Sequence, residues 1–300
     1  HEDCRRQRQM CIRDSHSVHH HGEDYNLATA LRQTSTGWLW KWVFYLPMIF
    51  LGVPGEVFVT VAGINLVYQF WVHTEHIGHL GFLDKIFITP MNHGIHHAKN
   101  KEYIDANYGG VFIIWDRMFG TYIARKDDIK PVYGTVSALK SFNPIFANFQ
   151  VFSIMLKDSI KTKSLKDKIR VWFSKTYWRP EDCIEHKDPE EFYVKYDPVI
   201  TKDIKIFSFF QMFFTIGVSG SLLFFVKEHG YNEILAFAIA ITLLSTFTAS
   251  LLQGTKYMYF TILCFSIFGI TGIEYFGLLN IEILSTQLML GQFLVNILVI

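Results

Sequence analysis

HSVHH at residues 16–20 and HGIHH at residues 93–97 repeat one pattern, HxxHH, and two apolar runs separate them. The runs are WLWKWVFYLPMIFLGV at 38–53 and EVFVTVAGINLVYQFWV at 56–72, joined by Pro54-Gly55, a dipeptide typical of turns. Each run lies near the lower limit of about 17 to 25 residues for a bilayer helix. We predict a transmembrane helical hairpin that brings the histidines before and after it to one membrane face. The alternative is a pair of buried helices in a soluble protein.

The remainder of the chain favours the membrane interpretation. Half of the residues are hydrophobic, 28 are Phe, and the mean hydropathy is +0.20, whereas a soluble domain is usually less apolar. Further apolar segments with short polar joints lie at residues 206–226, 234–252, 257–276 and 278–300. We therefore predict an all-α integral membrane protein with a transmembrane hairpin, a cytosolic histidine-rich helical cap and about four further membrane helices.

Charge gives the expected orientation. Residues 124–205 contain sixteen Lys and Arg, and positively charged loops favour the cytoplasmic side. We divide the chain into an atypical segment at 1–15, a histidine-rich domain at 16–135, a connecting segment at 136–205 and C-terminal membrane helices at 206–300. The net charge of +1 gives no case for a nucleic-acid partner. The four cysteines form no CxxC pair, which argues against disulfides and zinc-thiolate sites and favours a reducing compartment.

The first fifteen residues, HEDCRRQRQMCIRDS, differ in character from the rest of the chain. They contain no apolar core of the kind found in signal peptides. MCIRDS at residues 10–15 back-translates to a sequence that resembles the transposon-end adapter of sequencing libraries. We expect the native sequence to begin near His16, and the alternative is a genuine basic N-terminal arm.

The histidines indicate a metal site. Ten of the thirteen histidines lie between His16 and His97. On a helix, positions i, i+3 and i+4 share one face, so each HxxHH pattern projects three imidazoles together, and two opposed faces can surround two metal ions. Imidazole suits iron, copper and zinc, although an all-nitrogen site without Cys makes structural zinc less suitable. We expect His21 to lie beside the site or in solvent, and His186 and His229 to be ordinary polar residues.

Other residues near the two patterns could complete the site. His73 follows the second apolar run and is the best additional ligand, whereas His76 and His79 could be ligands or neighbours of the ligands. A metal-bound histidine usually donates its other ring N–H to a carboxylate or a carbonyl. We prefer Asp105 and Asp116 as orienting groups. The carboxylates that flank the histidine clusters are Glu23, Asp24, Glu75, Asp84, Asp105 and Asp116. The alternative for each is a solvated surface charge.

Several phrases carry a resemblance to a known family. They are HSVHHHGEDYNLATALRQ at 16–33, YQFWVHTEHIGHLG at 68–81, TPMNHGIHHAKNKEYIDANYGGVFIIWDRMFGTY at 89–122 and PVYG at 131–134. They resemble the fatty acid hydroxylase and sterol desaturase superfamily, and within it the alkylglycerol monooxygenase group. The EDYNL, ALRQ, NYGGV and IWDR phrases distinguish this group from sterol desaturases and acyl-lipid desaturases.

The resemblance implies a ligand set and some departures from it. Asn92 stands where some members have His, Gly94 stands where Arg is usual, and His76 and His79 replace positions that vary. An HxxxHE motif is expected just upstream of His16 and is not found there, so we expect weak or absent iron occupancy and activity for the chain as given. The implied metal ligands are His16, His19, His20, His73, His93, His96 and His97.

The resemblance also implies a reaction. It is oxygen-dependent hydroxylation of a lipid alkyl chain at two iron ions, with electrons from a reductant such as tetrahydrobiopterin. Hydroxylation beside an ether oxygen gives a hemiacetal, which collapses to a fatty aldehyde and a glycerol derivative. The residues do not identify the electron donor in this protein. The alternatives are another lipid or sterol hydroxylase or desaturase of the superfamily, and a non-catalytic membrane protein that binds or transports metal.

Overall fold

The computed structural model describes residues 16–174, 178–184, 194–276 and 279–300. The predicted adapter-like segment at 1–15 and His186 lie outside the described residues. The described residues form helices and no strand, with two isolated bridges, Phe87–Phe112 and Ala98–Tyr133. The prediction of an all-α protein is confirmed. The chain divides into two compact units, one up to Leu139 with Asn148–Lys195, and the other Lys140–Ala147 with Tyr196–Ile300.

The N-terminal part begins with short helices and a longer hairpin. Pro90 fits the start of α5 because proline is pre-organised for the first helical position and needs no N–H donor there. Gly120 ends α6 in the left-handed conformation that glycine adopts without strain. The helices are α1 (Ser17–His20), α2 (Leu27–Ala30), α3 (Trp38–Phe50), α4 (Gly55–Trp71), α5 (Pro90–His96), α6 (Ile114–Phe119), α7 (Pro144–Lys161) and α8 (Leu165–Phe173).

Helices α3 and α4 form the hairpin that the sequence predicts, with Pro54 at the start of α4. No side chain of α4 is buried, although most of them are apolar. Val59, Ile64 and Val67 are each more than 60% exposed, at 68%, 65% and 73%. An extended apolar surface of this kind is unusual on a soluble monomer and is what a lipid-facing helix presents.

Two buried asparagines hold the segment around α5. The Asn92 side-chain amide donates to the carbonyls of Asp84 and Phe87, at 3.0 and 3.1 Å. The Asn107 amide donates to the carbonyls of Asn92 and Ile123, at 3.0 and 2.9 Å, and Asn107 adopts the left-handed backbone conformation (φ 52°). Asn92 therefore fixes the start of α5.

The C-terminal unit is a bundle of four helices, in which α9 packs against α10 and α12, and α11 packs against α10 and α12. Gly269 is required where α11 meets α12, because a Cβ there would overlap the Phe293 ring. Two of the helices, α9 and α10, are long and apolar enough to cross a bilayer. The bundle comprises α9 (Lys202–Phe224), α10 (Tyr231–Leu252), α11 (Met258–Phe276) and α12 (Leu284–Val299).

A neutral polar network lies inside this bundle. Gln211 donates to Asn296, Gln292 donates to Gln211 at 3.0 Å, and Asn296 donates to Ser266 at 3.0 Å. All four side chains are buried, and hydrogen bonds of this kind between apolar helices fix their register.

Candidate metal centre

The seven histidines that the sequence predicts as ligands converge in two groups. The first group contains His19, His73, His93 and His97, all buried. Its contacts centre on His73, whose Nε2 atom lies 2.9 Å from Nε2 of His19, 3.2 Å from that of His97 and 3.1 Å from that of His93. The Nε2 atoms of His93 and His97 lie 3.2 Å apart. Four imidazoles thus aim their ring nitrogens at one point.

The second group contains His16, His20 and His96, which are half-buried. Nε2 of His96 lies 3.2 Å from Nε2 of both His16 and His20. The two groups adjoin each other, since the ring centroids of His16 and His19 are 5.2 Å apart. Within each group, all donor atoms lie within 4.8 Å of one another.

Local structure explains how three stretches of chain supply these rings. His19 and His20 lie on the single turn of α1, directly after His16. His93 and His96 lie on α5, and His97 caps its end. The i, i+3, i+4 spacing therefore presents three rings from each short helix, as the sequence predicts. His73 lies just beyond the end of α4 and joins the first group.

Backbone carbonyls decide which ring nitrogens face the centre. Nδ1 of His19 donates to the Arg32 carbonyl at 3.1 Å, Nδ1 of His73 to the Gln69 carbonyl at 2.6 Å, and Nδ1 of His96 to the Ala106 carbonyl at 3.1 Å. A carbonyl only accepts, and a neutral imidazole carries one N–H. In these three rings Nε2 therefore bears a lone pair that points into the cluster.

This arrangement fits a bound cation. Facing lone pairs at about 3 Å repel one another unless a positive charge lies between them. Two nitrogens bound to one ion at about 2.1 Å lie about 3.0 to 3.4 Å apart, depending on whether the ion is six- or four-coordinate. The Nε2 separations of 2.9 to 3.2 Å are close to this range. The donor set therefore suits two ions of a metal that accepts imidazole.

Burial keeps these rings neutral. It lowers the pKa of His20, His93 and His97 well below the ordinary value, and the neighbouring histidines add to the effect. Burial also lowers the pKa of His73 to about 4, with His19 as a second cause. A metal entering at neutral pH would not have to displace protons from these ligands.

The predicted orienting role of Asp116 is not seen in its hydrogen bonds, which are to a loop rather than to a histidine ring. The buried Asp116 carboxylate accepts from the Tyr108 and Gly109 amides, at 2.7 and 2.8 Å, and from the Thr121 hydroxyl at 2.6 Å. The Tyr108 ring stands edge-on to His96, with centroids 5.3 Å apart. Asp116 thus acts on the site through the Tyr108 loop, while Asp105 is exposed. The observed orienting groups are carbonyls because α4 and the flanking loops present free carbonyls at the required places.

His76 and His79 lie outside both groups, and both are exposed. Their position after His73 in the sequence made them possible ligands or neighbours of the ligands. The helix ends at Trp71, and the His76 amide donates to the Thr74 hydroxyl at 3.1 Å in the turn that follows. Nδ1 of His79 lies 3.4 Å from the Asp84 carboxylate. His21 is buried beside the centre and belongs to neither group.

A tyrosine pair supports the first group, and the sequence analysis assigned no role to either tyrosine. The Tyr25 hydroxyl donates to the Val72 carbonyl at 2.7 Å, and its ring centroid lies 5.3 Å from that of His97. Tyr25 stacks on Tyr133 with centroids 4.9 Å apart, and the Tyr133 hydroxyl donates to Glu75 at 2.9 Å. Glu75 therefore contacts the tyrosine pair. Both tyrosines lie in phrases that carry the family resemblance, EDYNL and PVYG, and this is the sequence feature that could have identified them.

A cavity of about 590 Å³ opens beside the second group, which is within the usual size range for a small-molecule site. His20, His96 and Tyr108 line one side of it. Its apolar wall includes Ile104, Val136, Ile154, Met155 and Val171, and its polar lining includes Lys99, Gln150, Asp158 and Arg179. The second group of histidines is therefore accessible from a mainly apolar chamber, and the first group is enclosed.

Comparison with known proteins agrees with this geometry. The sequence model of the family described as fatty acid hydroxylase matches residues 1–121. Alkylglycerol monooxygenase of Xenopus tropicalis is 42% identical over 165 residues, and that of Homo sapiens is 41% identical over 165 residues. In both comparisons the match covers 55% of this chain and 36% of the relative.

A bacterial relative is similar over a shorter stretch. Ornithine lipid hydroxylase OlsE of Rhizobium tropici is 34% identical over 77 residues, or 26% of this chain and 23% of the relative. No solved structure matches the chain. The chain spans about a third of the length of the alkylglycerol monooxygenases that it matches. The chain is therefore similar to the fatty acid hydroxylase family over residues 1–121 and to alkylglycerol monooxygenases over 165 residues.

Proposed function

We propose that this chain carries the di-iron centre of an oxygen-dependent membrane monooxygenase that hydroxylates lipid alkyl chains. The observation that supports this best is the convergence of the seven imidazoles in adjoining groups of four and three. His19, His73, His93 and His97 would hold one iron ion, and His16, His20 and His96 would contribute to the second. When bound, the two ions would supply the activation of dioxygen that insertion into an alkyl C–H bond requires.

The two groups have different roles in this proposal. The first group is buried, and its rings are fixed by the Arg32 and Gln69 carbonyls, so it holds its ion rigidly and away from solvent. The second group borders the cavity through His20 and His96. A substrate in the cavity therefore approaches the second group, and the Tyr108 ring beside His96 limits the approach from that side.

An O-alkyl glycerol is the proposed substrate. The apolar wall of the cavity, which includes Ile154 and Met155, suits an alkyl chain, whereas Gln150, Lys99 and Arg179 offer hydrogen bonds to a polar head. The alkylglycerol monooxygenase relatives support cleavage of the ether by hydroxylation of the adjacent carbon. The ornithine lipid hydroxylase match supports lipid hydroxylation as the reaction common to these relatives.

The membrane arrangement follows from the same reasoning. We place α3, α4 and the C-terminal helices in the bilayer as a multi-pass protein, with the histidines at the cytoplasmic face. The exposed apolar surface of α4 and the basic composition of residues 124–205 support this orientation. A lipid substrate would then reach the centre without leaving the membrane. The proposed electron donor is a reduced pterin, which rests on the resemblance alone.

The experiment is product analysis with the purified full chain loaded with excess ferrous iron, because the expected iron occupancy is weak, and the product assay must detect turnover by a small fraction of iron-loaded protein. With dioxygen and a reduced pterin, a 1-O-alkylglycerol should give a fatty aldehyde. His96→Ala should abolish this product, and His79→Ala, which changes an exposed residue outside both groups, should not. A hydroxylated lipid without aldehyde would favour another hydroxylase of the family. Metal binding without any oxygen-dependent product would contradict the enzyme proposal.

A further inference from the structure

Helices α7 and α8 form a hairpin whose geometry is fixed by several hydrogen bonds. The Ser159 hydroxyl donates to the Lys168 carbonyl at 2.9 Å, and Nζ of Lys168 donates to the carbonyls of Ser159 and Ile160, at 3.0 and 2.9 Å. The Asp158 carboxylate, on α7, pairs with both donors of Arg179 at 2.7 and 2.6 Å. The inner side of the hairpin lines the cavity, since Asp158 and Val171 are among its walls. This hairpin lies beyond the residues that match the family model.

The outer side of the hairpin is apolar and uncovered. With 3.6 residues per turn, Phe149, Leu156 and Ile160 fall within a narrow arc on the face of α7 opposite its cavity-lining residues. Leu165, Ile169 and Phe173 form a corresponding arc on α8, opposite Val171. The exposed fractions of these six side chains range from 48% for Phe149 to 85% for Phe173. Helix α7 is therefore apolar on its outer side and largely apolar on its cavity side, whereas α8 has the buried Val171 among polar residues on the side opposite its apolar arc.

Positive charge surrounds this outer face. Residues 157–174 contain six Lys and Arg and two Asp, a net charge of +4. Lys157, Lys161, Lys163 and Lys166 are exposed, and the helical periodicity places them beside the two apolar arcs or in the turn between the helices. An apolar helix face bordered by basic side chains fits the interface between lipid headgroups and acyl chains, because the apolar residues enter the acyl boundary while the lysines remain among anionic headgroups.

We propose that the α7–α8 hairpin is an interfacial anchor that binds an anionic lipid surface. A protein partner would also cover an apolar face, but the charge favours lipid, since lysine is depleted in protein–protein interfaces and attracted to anionic membranes. The anchor holds one wall of the cavity at the depth of the headgroups, where a lipid substrate has its polar end. This inference does not depend on iron or on catalysis.

Spin-label accessibility tests the anchor with the full chain in nanodiscs of equal parts phosphatidylcholine and phosphatidylglycerol. Cys4, Cys11 and Cys264 are replaced by serine, and Cys183 is retained because it is buried. Labels are attached at Phe173→Cys and Ile169→Cys, with Asp167→Cys as the control on the polar side of the same helix. We expect severalfold greater collision with oxygen than with a water-soluble nickel reagent at 169 and 173, and the opposite preference at 167.

Three results would overturn the proposal. The first is a preference for collision with the nickel reagent at all three labelled sites. The second is protection of the labels from both reagents with dipolar broadening, which indicates contact with a second copy of the chain. The third is protection without broadening, which indicates that another protein segment covers this face. A Lys157→Gln, Lys161→Gln, Lys163→Gln, Lys166→Gln variant tests the role of charge. In this variant, the label at residue 173 should lose most of its preference for collision with oxygen over the nickel reagent. The same loss is expected for the labelled protein without the Gln substitutions in nanodiscs of phosphatidylcholine alone. An unchanged preference in both would refute recognition of anionic lipid.

Discussion

The imidazoles of His20 and His97 are stacked, with ring centroids 4.2 Å apart and planes within 16° of parallel, although the two residues belong to different histidine groups. The two histidine groups are therefore in direct contact through these two rings. A change in the position of one ring therefore alters the support of the other. Two ions bound in these groups would be neighbours whose affinities depend on each other.

Removal of His97 should affect both groups, whereas removal of His73, whose ring contacts are with Tyr25 and the first group, should affect mainly the first. Loss of one of four ligands should weaken metal binding at the first group by more than the roughly 10- to 100-fold that loss of an outer partner costs. His97→Ala should also weaken the second group, because His20 loses its stacking partner. Cobalt titration followed by absorbance measures both affinities, with His79→Ala as the control. Equal effects of His73→Ala and His97→Ala on the second group would contradict coupling through the contact of His20 with His97.

The Tyr25 hydroxyl should stabilise the position of His73. Its bond to the Val72 carbonyl, next to His73 in the chain, is buried and 2.7 Å long. Tyr25→Phe leaves this carbonyl without its partner and should lower the free energy of unfolding by about 1 kcal/mol, with a measurable loss of metal affinity. Thermal melting and metal titration test this. Tyr45→Phe, on the exposed side of α3, should change neither quantity, and a similar loss in both variants would exclude a specific role for Tyr25.

Acid should destabilise the metal-free protein. Burial lowers the pKa of His73 and His21 to about 4 in the folded chain, whereas an unfolded histidine titrates near 6.5. The unfolded chain therefore binds more protons below pH 6.5. The stability is fully present above 6.5, and each such histidine removes about 1.4 kcal/mol per pH unit as the pH falls from 6.5 towards 4.

Melting curves between about pH 8 and pH 5 measure this dependence. His21→Gln should reduce the slope without removing a ligand, and bound metal should flatten it. A melting temperature of the metal-free protein that does not change across this range would show that the buried histidines do not stay neutral.

The Asp158–Arg179 pair should contribute strongly to stability. Asp158 is 4% exposed, so Arg179→Ala would leave a buried carboxylate without its counter-charge and should cost about 3 kcal/mol or more. The matched control is the exposed pair of Lys195 and Asp24, for which Lys195→Ala should cost at most about 1 kcal/mol. Thermal melting compares the variants. Equal costs for the two pairs would mean that the Asp158 carboxylate is solvated.

Filling the cavity should weaken substrate binding without loss of metal. Ile154 lines the same cavity as His20 and His96, so Ile154→Trp should raise KM for a long-chain alkylglycerol several-fold. Metal content should stay at the level of the parent protein. Leu31→Trp, at an exposed position outside the cavity, serves as the control. A normal KM together with a normal metal content in Ile154→Trp would place the substrate elsewhere.

The helices were predictable because each rests on a local pattern. The apolar runs around Pro54 predict α3 and α4, and the HxxHH spacing predicts three rings on one face of a turn. The end of α4 at Trp71 agrees with the end of the apolar run at Val72, but the conformation of the chain from His73 to His79 was not predicted, because histidines at i, i+3 and i+6 fit a helix as well as a loop. The turn is marked by the hydrogen bonds from the Thr74 amide to the Val72 carbonyl and from the His76 amide to the Thr74 hydroxyl.

The partners of the ligands were not predictable in the same way. A carboxylate is a reasonable partner for a histidine ring N–H, and Asp116 lies near the second HxxHH pattern in the sequence. Its oxygens are nevertheless occupied by the Tyr108 and Gly109 amides and the Thr121 hydroxyl, which depends on how residues 107–121 turn. The carbonyls that orient His19 and His73 have no signature at all, since every residue has one.

The sequence by itself determined the all-helical class and the histidines that come together, because helical periodicity and ligand spacing act over a few neighbouring residues. Tertiary structure decided how those histidines divide into groups of four and three, since that depends on rings 54 residues apart meeting at 2.9 Å. It also decided that α7 and α8 have a cavity on one side and an uncovered apolar face on the other. Apolar side chains lie on both sides of α7, and composition cannot distinguish a side chain buried in protein from one that faces lipid.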